Sequence, residues 1–166
     1  MNLVSVTKII SGGQVGADRA GLDFAIERGI PYGGWCPQGR RAEDGTVPFK
    51  YKLQEADRPG YPYRTKLNVR EADGTVVFTE DPPTRGSSMT IQACLDFGKP
   101  YLHLTPDEPV KDACLRFLHW LQDNQIQVLN VAGSRHEYYY GFARLILDNA
   151  HAYANSPLWL KTRSNS

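Results

Sequence analysis

The chain has 166 residues, a formal net charge of +1, 41% hydrophobic residues and 22% charged residues. This length suits a single domain with one core, and the balanced charge gives no sign of nucleic-acid or membrane binding, both of which favour a basic excess. No run of about 18 apolar residues is present to cross a bilayer. Three cysteines without CxxC spacing fit reduced thiols better than disulfides or a zinc site. We therefore expect a cytoplasmic protein without a metal centre.

Strand and helix patterns alternate along the chain. A β-branched run at 6–10 leads into glycines, and apolar residues then recur at helical spacing up to residue 29. Further strands are predicted at 30–32, 75–79, 101–104 and 127–131, with helices near 64–72, 91–98, 114–121 and 143–150. Such alternation predicts right-handed crossovers and a parallel sheet with helices on both faces. We predict a single Rossmann-like α/β domain over 1–160, with a five-stranded parallel sheet in the favoured order 2-1-3-4-5, and a disordered tail over 161–166.

A glycine loop, Ser11-Gly12-Gly13-Gln14-Val15-Gly16, joins the first strand to the first helix. Backbone N–H groups at a helix N-terminus suit a phosphate, and glycine permits its close approach. The loop only partly matches GxGxxG, the second strand ends without the acid that holds a ribose, and no P-loop lysine is present. The prediction is a phosphate-binding loop formed by Gly12, Gly13, Gln14 and Gly16, with a tight structural turn as the alternative.

Arginines follow four of the predicted strands, on the edge where ligands bind in such sheets. They are Arg19, Arg40, Arg41, Arg85 and Arg135. Guanidinium groups match phosphate geometry, so this clustering favours an anion site, although each arginine alone is more typical of a solvated surface.

Acidic and small residues complete the candidate site. Asp18, Glu43 and Asp44 are weak candidates for acid/base catalysis, and the last two could equally form salt bridges with neighbouring arginines. Asn130 and Gly133 end the fifth strand and would allow a ligand to approach beside the glycine loop.

Four segments, which follow one another and together cover much of the chain, carry a family resemblance. They are SGGQVGADRAGLDFA, GIPYGGWCPQGRRAEDG, YRTKLNVREADGTVVF and VLNVAGSR. In these segments the sequence resembles the molybdenum carrier family, proteins similar to molybdenum-cofactor carriers within the lysine-decarboxylase-like Rossmann superfamily. The resemblance implies a Rossmann-like fold, a homo-oligomer, and binding of the phosphate-bearing pterin cofactor, molybdopterin, or a nucleotide as ligand.

The superfamily also contains phosphoribohydrolases with a PGGxGTxxE motif, and here the chain departs from it. Gln92 is placed near the glutamate of that motif, and an amide cannot accept a proton as a carboxylate does. Arg64 corresponds to an arginine of the same enzymes. Where the carrier family has a glycine-glycine-threonine run, this chain has Gly86, Ser87 and Ser88, which we predict to form a second phosphate loop.

Three functions follow from these patterns. The leading hypothesis is a carrier that binds a phosphorylated small ligand without turnover. The alternatives are a nucleotide-processing hydrolase and a nucleotide-sensing module.

Overall fold

Five parallel strands form the central sheet of the protein, whose computed structural model describes residues 3–164. In chain order the helices and sheet strands are β1 (Lys8–Ile10), α1 (Ala17–Glu27), β2 (Tyr32–Gly33), α2 (Tyr61–Glu71), β7 (Gly74–Phe78), α3 (Arg85–Phe97), β8 (Tyr101–Leu104), α4 (Val110–Asp123), β9 (Val128–Gly133), α5 (Glu137–Ala154) and α6 (Pro157–Ser164). Short strands β3 (Trp35–Cys36), β4 (Arg41–Ala42), β5 (Gly45–Thr46) and β6 (Gln54–Glu55) lie in the connection between β2 and α2. The predicted α/β class, with a five-stranded parallel sheet, is confirmed.

The strand order is β2-β1-β9-β7-β8, so the last strand of the chain lies at the centre of the sheet. Ile9 of β1 pairs with Leu129 of β9, and Val76 of β7 pairs with Val131 on the other side of β9. Numbered along the chain, this order is 2-1-5-3-4. The neighbours 2-1 and 3-4 were predicted correctly, but the fifth strand is not at the edge. Its inner positions are buried and mostly apolar, and a central place buries both of its faces.

This order is the doubly wound Rossmann order with its first strand moved to the end of the chain. If β9 preceded β1, the strands would be numbered β9, β1, β2, β7, β8, and the sheet would read 3-2-1-4-5. In that arrangement the order reverses between β9 and β7. The crevice beyond the carboxyl ends of these two strands corresponds to the position where ligands bind in other sheets of this type.

The main core lies between the sheet and helices α1, α4 and α5, and helices α2 and α3 cover the opposite face. Side chains along β7 point alternately to the two faces of the sheet. Val76 and Phe78 belong to the main core, whereas Thr75 bonds with Asn130 on the other face. None of the helices within residues 3–164 is long and apolar enough to cross a membrane.

The connection between β2 and α2 is ordered by small ribbons instead of forming an open loop. Strand β3 pairs with β6 and β4 pairs with β5, and Val47 and Tyr51 pack with Leu22 of α1 in a satellite core. Asn68 then fixes α2, since its side chain bonds both the backbone N–H (2.8 Å) and the carbonyl (3.0 Å) of Trp35.

Helix α6 continues through residues 161–164, where a disordered tail was expected. Trp159 explains the difference, because its side chain is buried against Tyr153 and His119 and anchors the helix. Residues 165 and 166 of the predicted tail lie outside the described residues.

Candidate functional site

A cavity of about 670 Å³ opens at the carboxyl ends of β7 and β9, where the strand order reverses. It is lined by the start of α1, the turn between β4 and β5, the first turns of α2 and of α3, and the loops that follow β7 and β9. The lining residues include Asp18, Glu43, Tyr61, Arg64, Thr65, Thr84, Arg85, Gly86, Met89, Thr90, Gly133, Ser134, Arg135 and His136. Three arginines face two carboxylates, so the cavity has an excess of positive charge.

Two helix N-termini meet at the cavity, those of α3 and α5. Thr84 caps α3 by accepting a hydrogen bond from the Ser87 N–H at 3.2 Å, and the His136 ring accepts one from the Tyr138 N–H at 3.1 Å. The N-terminal end of a helix carries a partial positive charge. Both helix ends therefore add to the attraction that the arginines exert on an anion.

Arg64 and Asp18 form a buried ion pair on the cavity wall. Arg64 is 7% exposed and Asp18 is 4% exposed, and the Nη1 atom of Arg64 lies 3.5 Å from Oδ2 of Asp18. This distance is long for a charge-assisted hydrogen bond, and the buried Nε atom of Arg64 has no hydrogen-bond partner among the described residues. Burial raises the pKa of Asp18 above its ordinary value, against the opposing attraction of Arg64. The pair leaves hydrogen-bonding capacity unused beside the cavity.

Arg135 lies across the cavity, between an aromatic ring and a carboxylate. Its guanidinium carbon is 3.8 Å from the centre of the Tyr61 ring, and its Nη1 atom is 3.2 Å from Oε1 of Glu43. The Tyr61 ring is also 5.7 Å from the guanidinium carbon of Arg64. Two cavity arginines thus lie near one aromatic ring.

The predicted glycine loop packs around neighbouring residues of the protein. A Cβ atom on Gly12 would lie 2.1 Å from Nη1 of Arg64, and one on Gly16 would lie 2.2 Å from the Ser134 carbonyl oxygen. Gly13 faces Leu53 of the β2–α2 connection, where an added Cβ would meet its side chain at 2.7 Å. The loop therefore makes room for Arg64 and for the loop after β9. Its three glycines and Gln14 do not line the cavity.

Other predicted contact residues fix the β2–α2 connection in place. The Arg40 guanidinium donates to the carbonyls of Val47 (3.1 Å), Pro48 (2.8 Å) and Tyr51 (2.8 Å). Arg19 forms a two-bond ion pair with Asp44 at 2.6 and 2.9 Å.

Gln14 also bonds to the β2–α2 connection, because its side-chain amide donates to the Arg41 carbonyl at 2.9 Å. None of these five predicted residues (Gln14, Arg19, Arg40, Arg41, Asp44) lines the cavity, whereas Asp18, Glu43, Gly86, Gly133 and Arg135 of the same prediction do.

The second predicted loop is only partly at the cavity. Gly86 lines it, while the buried Ser87 side chain contacts the Thr84 hydroxyl at 3.0 Å. The Ser88 N–H bonds the Thr84 carbonyl, and Asn130 is buried under α2 and α3. Gln92 bonds Asp96 on the exposed side of α3, and Thr90 instead lines the cavity from that helix.

Sequence reasoning left Tyr61, Thr65, Thr90 and His136 out of the site. Tyr61 and Thr65 lie on α2, which follows the irregular β2–α2 connection, so no sheet pattern places this helix at the carboxyl edge. The signal that could have found them is Arg64, because it lies on the same helix and corresponds to an arginine of the phosphoribohydrolases. No group of three His, Cys, Asp or Glu side chains within residues 3–164 is placed to hold a metal ion.

Comparisons with known proteins agree with the fold. The profile of the circularly permutated YpsA SLOG family matches residues 9–148. A solved structure from Syntrophus aciditrophicus SB, named "Putative molybdenum carrier protein", is 44% identical, with a TM-score of 0.85 over 87% of this chain and 94% of that chain. The search of curated proteins gave no match.

The sheet order accounts for the family's name, because the strand that comes first in the ordinary doubly wound order comes last here. The resemblance found in the sequence is confirmed at the level of the family. The chain belongs to the circularly permutated YpsA SLOG family and is molybdenum carrier-like.

Proposed function

We propose that the protein binds a small phosphate-bearing ligand in the cavity between the ends of β7 and β9, as a carrier that holds it without turnover. The observation that carries this proposal is that Arg64 is buried with hydrogen-bond donors left unsatisfied. A guanidinium group has five N–H donors, and a buried one whose donors are unsatisfied costs free energy. Arg64 is buried, lines the cavity, has an unpartnered Nε among the described residues and makes one long contact to Asp18. An anion in the cavity would supply acceptors to Arg64.

The surroundings of Arg64 support a phosphate as that anion. Arg85 and Arg135 line the same cavity, and the N-terminus of α3 presents Gly86 without a side chain. Among the described residues, an added Cβ on Gly86 would have only Arg135 within 4 Å, at 3.9 Å, so space remains beside this helix end. Phosphates bind readily at helix N-termini and to guanidinium groups.

The cavity also fits the remainder of a cofactor-sized ligand. Its volume of about 670 Å³ lies within the range of about 300–1,000 Å³ typical of small-molecule sites. Tyr61 and Met89 provide ring and apolar surface beside the arginines. These residues suit a flat ring system that ends in a phosphate, which is the form of the molybdenum-cofactor pterin. We therefore propose this cofactor, or a nucleotide, as the ligand. Arg64, Arg85 and Arg135 would hold its phosphate, and the molybdenum would be cargo.

Isothermal titration calorimetry with inorganic phosphate and AMP tests the proposal. Arg135→Gln removes a cavity guanidinium, and a charged hydrogen bond is worth about 1.5–3 kcal/mol, so affinity should fall at least about tenfold. Arg41→Gln is the matched control, since Arg41 is exposed and outside the cavity. Equal losses in both variants, or no binding of either compound to the wild type, would contradict the proposal.

Mass spectrometry of small molecules released from freshly purified protein identifies the ligand directly. A phosphorylated pterin would support the carrier form of the proposal, and a nucleotide would support the second form. The release of only compounds without a phosphate would contradict both forms.

A further inference from the structure

We infer that Asp18 is a specificity-determining residue that selects phosphate esters carrying a hydroxyl group, such as sugar phosphates, over phosphates without one. This inference rests on the proposed function, because it concerns the same cavity. It adds a second recognition element, which accepts a hydrogen bond from the organic part of the ligand.

The hydrogen bonds of Asp18 are all on one side of its carboxylate. The Gln14 N–H donates to Oδ2 at 3.2 Å, and Nη1 of Arg64 lies 3.5 Å from the same oxygen. Oδ1 receives no hydrogen bond from residues 3–164 and, unlike Nε of Arg64, is not sealed off from the cavity, although an ionised carboxylate can accept about four hydrogen bonds. Since Asp18 is 4% exposed and lines the cavity, the group that satisfies Oδ1 has to enter the cavity.

A purely structural ion pair in the same protein has a different geometry. Asp44 and Arg19 meet through two short bonds, at 2.6 and 2.9 Å, using both carboxylate oxygens. The Asp18–Arg64 pair has one contact of 3.5 Å and is far more buried. A buried pair with poor geometry does not recover the cost of desolvating its charges. The open geometry of Asp18 and Arg64 therefore favours a ligand group between or beside them.

The chemistry of the two side chains selects a hydroxyl group. Arg64 only donates hydrogen bonds and Asp18, when ionised, only accepts them, so the missing group has to donate to one and accept from the other. A protonated amine would only donate and would be repelled by Arg64, and a phosphate oxygen would be repelled by an ionised Asp18. A hydroxyl oxygen does both and carries no charge.

The test compares two ligands that share a phosphate and differ in hydroxyl groups, methyl phosphate and ribose 5-phosphate, titrated into wild type, Asp18→Asn and the control Asp44→Asn. Wild type and Asp44→Asn should bind ribose 5-phosphate at least about tenfold more tightly than methyl phosphate, since a hydrogen bond to a charged group is worth about that factor. Asp18→Asn should weaken this preference severalfold, because its amide oxygen still accepts a hydrogen bond but carries no charge. It should bind methyl phosphate as tightly as wild type or more so, because a negative charge beside the anion is gone.

The outcomes separate this inference from the proposed function. If wild type binds both compounds equally, or if Asp18→Asn keeps the full preference, Asp18 does not select a hydroxyl group while the phosphate site stands. If neither compound binds to wild type, the proposed function fails and the inference with it. The wild-type comparison can overturn the inference even if Asp18→Asn does not fold, because equal binding of both compounds would already contradict it.

Discussion

Replacing Gly12 by alanine tests the interpretation of the glycine loop as a support for Arg64. The added Cβ would lie 2.1 Å from Nη1 and 2.6 Å from Cζ of Arg64, and 2.9 Å from Oδ2 of Asp18. These distances are far inside van der Waals contact. The guanidinium group therefore has to move away from the loop, and it has to move relative to Asp18.

The size of the effect follows from the burial of the pair. Overpacking a buried site typically costs about 1–3 kcal/mol, and separating a buried ion pair costs about 3–5 kcal/mol. Since Arg64 retains some freedom toward the cavity, we expect Gly12→Ala to lower the free energy of unfolding by about 3 kcal/mol. For a chain of this size each kcal/mol lowers Tm by about 2–4 °C.

Urea unfolding and phosphate titration measure the two consequences together. Gly141→Ala is the matched control, because Gly141 lies in α5 with no atom within 4 Å of an added Cβ. It should gain up to about 1 kcal/mol of stability from helix propensity. Gly12→Ala should lose both stability and phosphate affinity. Unchanged stability with binding lost would refute the reasoning, since it would show that Gly12 contacts the ligand itself.

Three further predictions concern neighbouring side chains. Arg40→Met should lower the free energy of unfolding by about 3 kcal/mol in urea and leave phosphate affinity unchanged, because its bonds hold only the β2–α2 connection; lost affinity with normal stability would contradict this. Glu43→Gln should raise phosphate affinity by roughly twofold to fivefold in calorimetry, because it removes a carboxylate that competes for Arg135. The control Asp44→Asn should leave phosphate affinity unchanged. Weaker phosphate binding by Glu43→Gln would contradict this prediction. Burial raises the pKa of Asp18 from 3.8, so the folded state keeps this proton to higher pH than the unfolded chain. Wild-type stability relative to Asp18→Asn should therefore fall as pH rises above 3.8 and through the folded pKa, and a rise over this window in urea unfolding would contradict the assignment.

Much of the fold could be predicted because the local pattern of apolar residues in a segment matches the strand or helix that the segment forms. The buried strand at Gly74–Phe78 and the glycine-ended strand at Lys8–Ile10 are close to their predicted ranges. The strand order could not be derived in the same way. Each crossover rule fixes handedness and parallel pairing, but Val128–Gly133 has the same apolar pattern whether it lies at the centre of the sheet or at its edge.

The residues that line the cavity could be predicted in part, for a related physical reason. Gly133 ends β9, Arg135 follows β9 and Gly86 follows β7, so the general rule for parallel sheets places them at the edge where the cavity opens. The glycine loop after β1 was given the phosphate because glycine permits close approach, and the sequence does not reveal what approaches. In the structure Arg64 approaches Gly12, from a helix that comes about fifty residues later in the chain.

The arginines show the same limit. Arg40, Arg41 and Arg135 look alike in the sequence, and each follows a predicted strand. Only the path of the β2–α2 connection decides that the Arg40 guanidinium bonds backbone carbonyls while Arg135 faces the cavity.

A crystal structure of the protein with the phosphate ligand recovered from it, or with AMP, tests the central claim most directly. We predict that the phosphate lies at the N-terminus of α3, within hydrogen-bond distance of Arg64 or Arg135 and in contact with Gly86. A phosphate bound by the backbone of Gly12, Gly13 and Gly16, away from Arg135, would contradict the account.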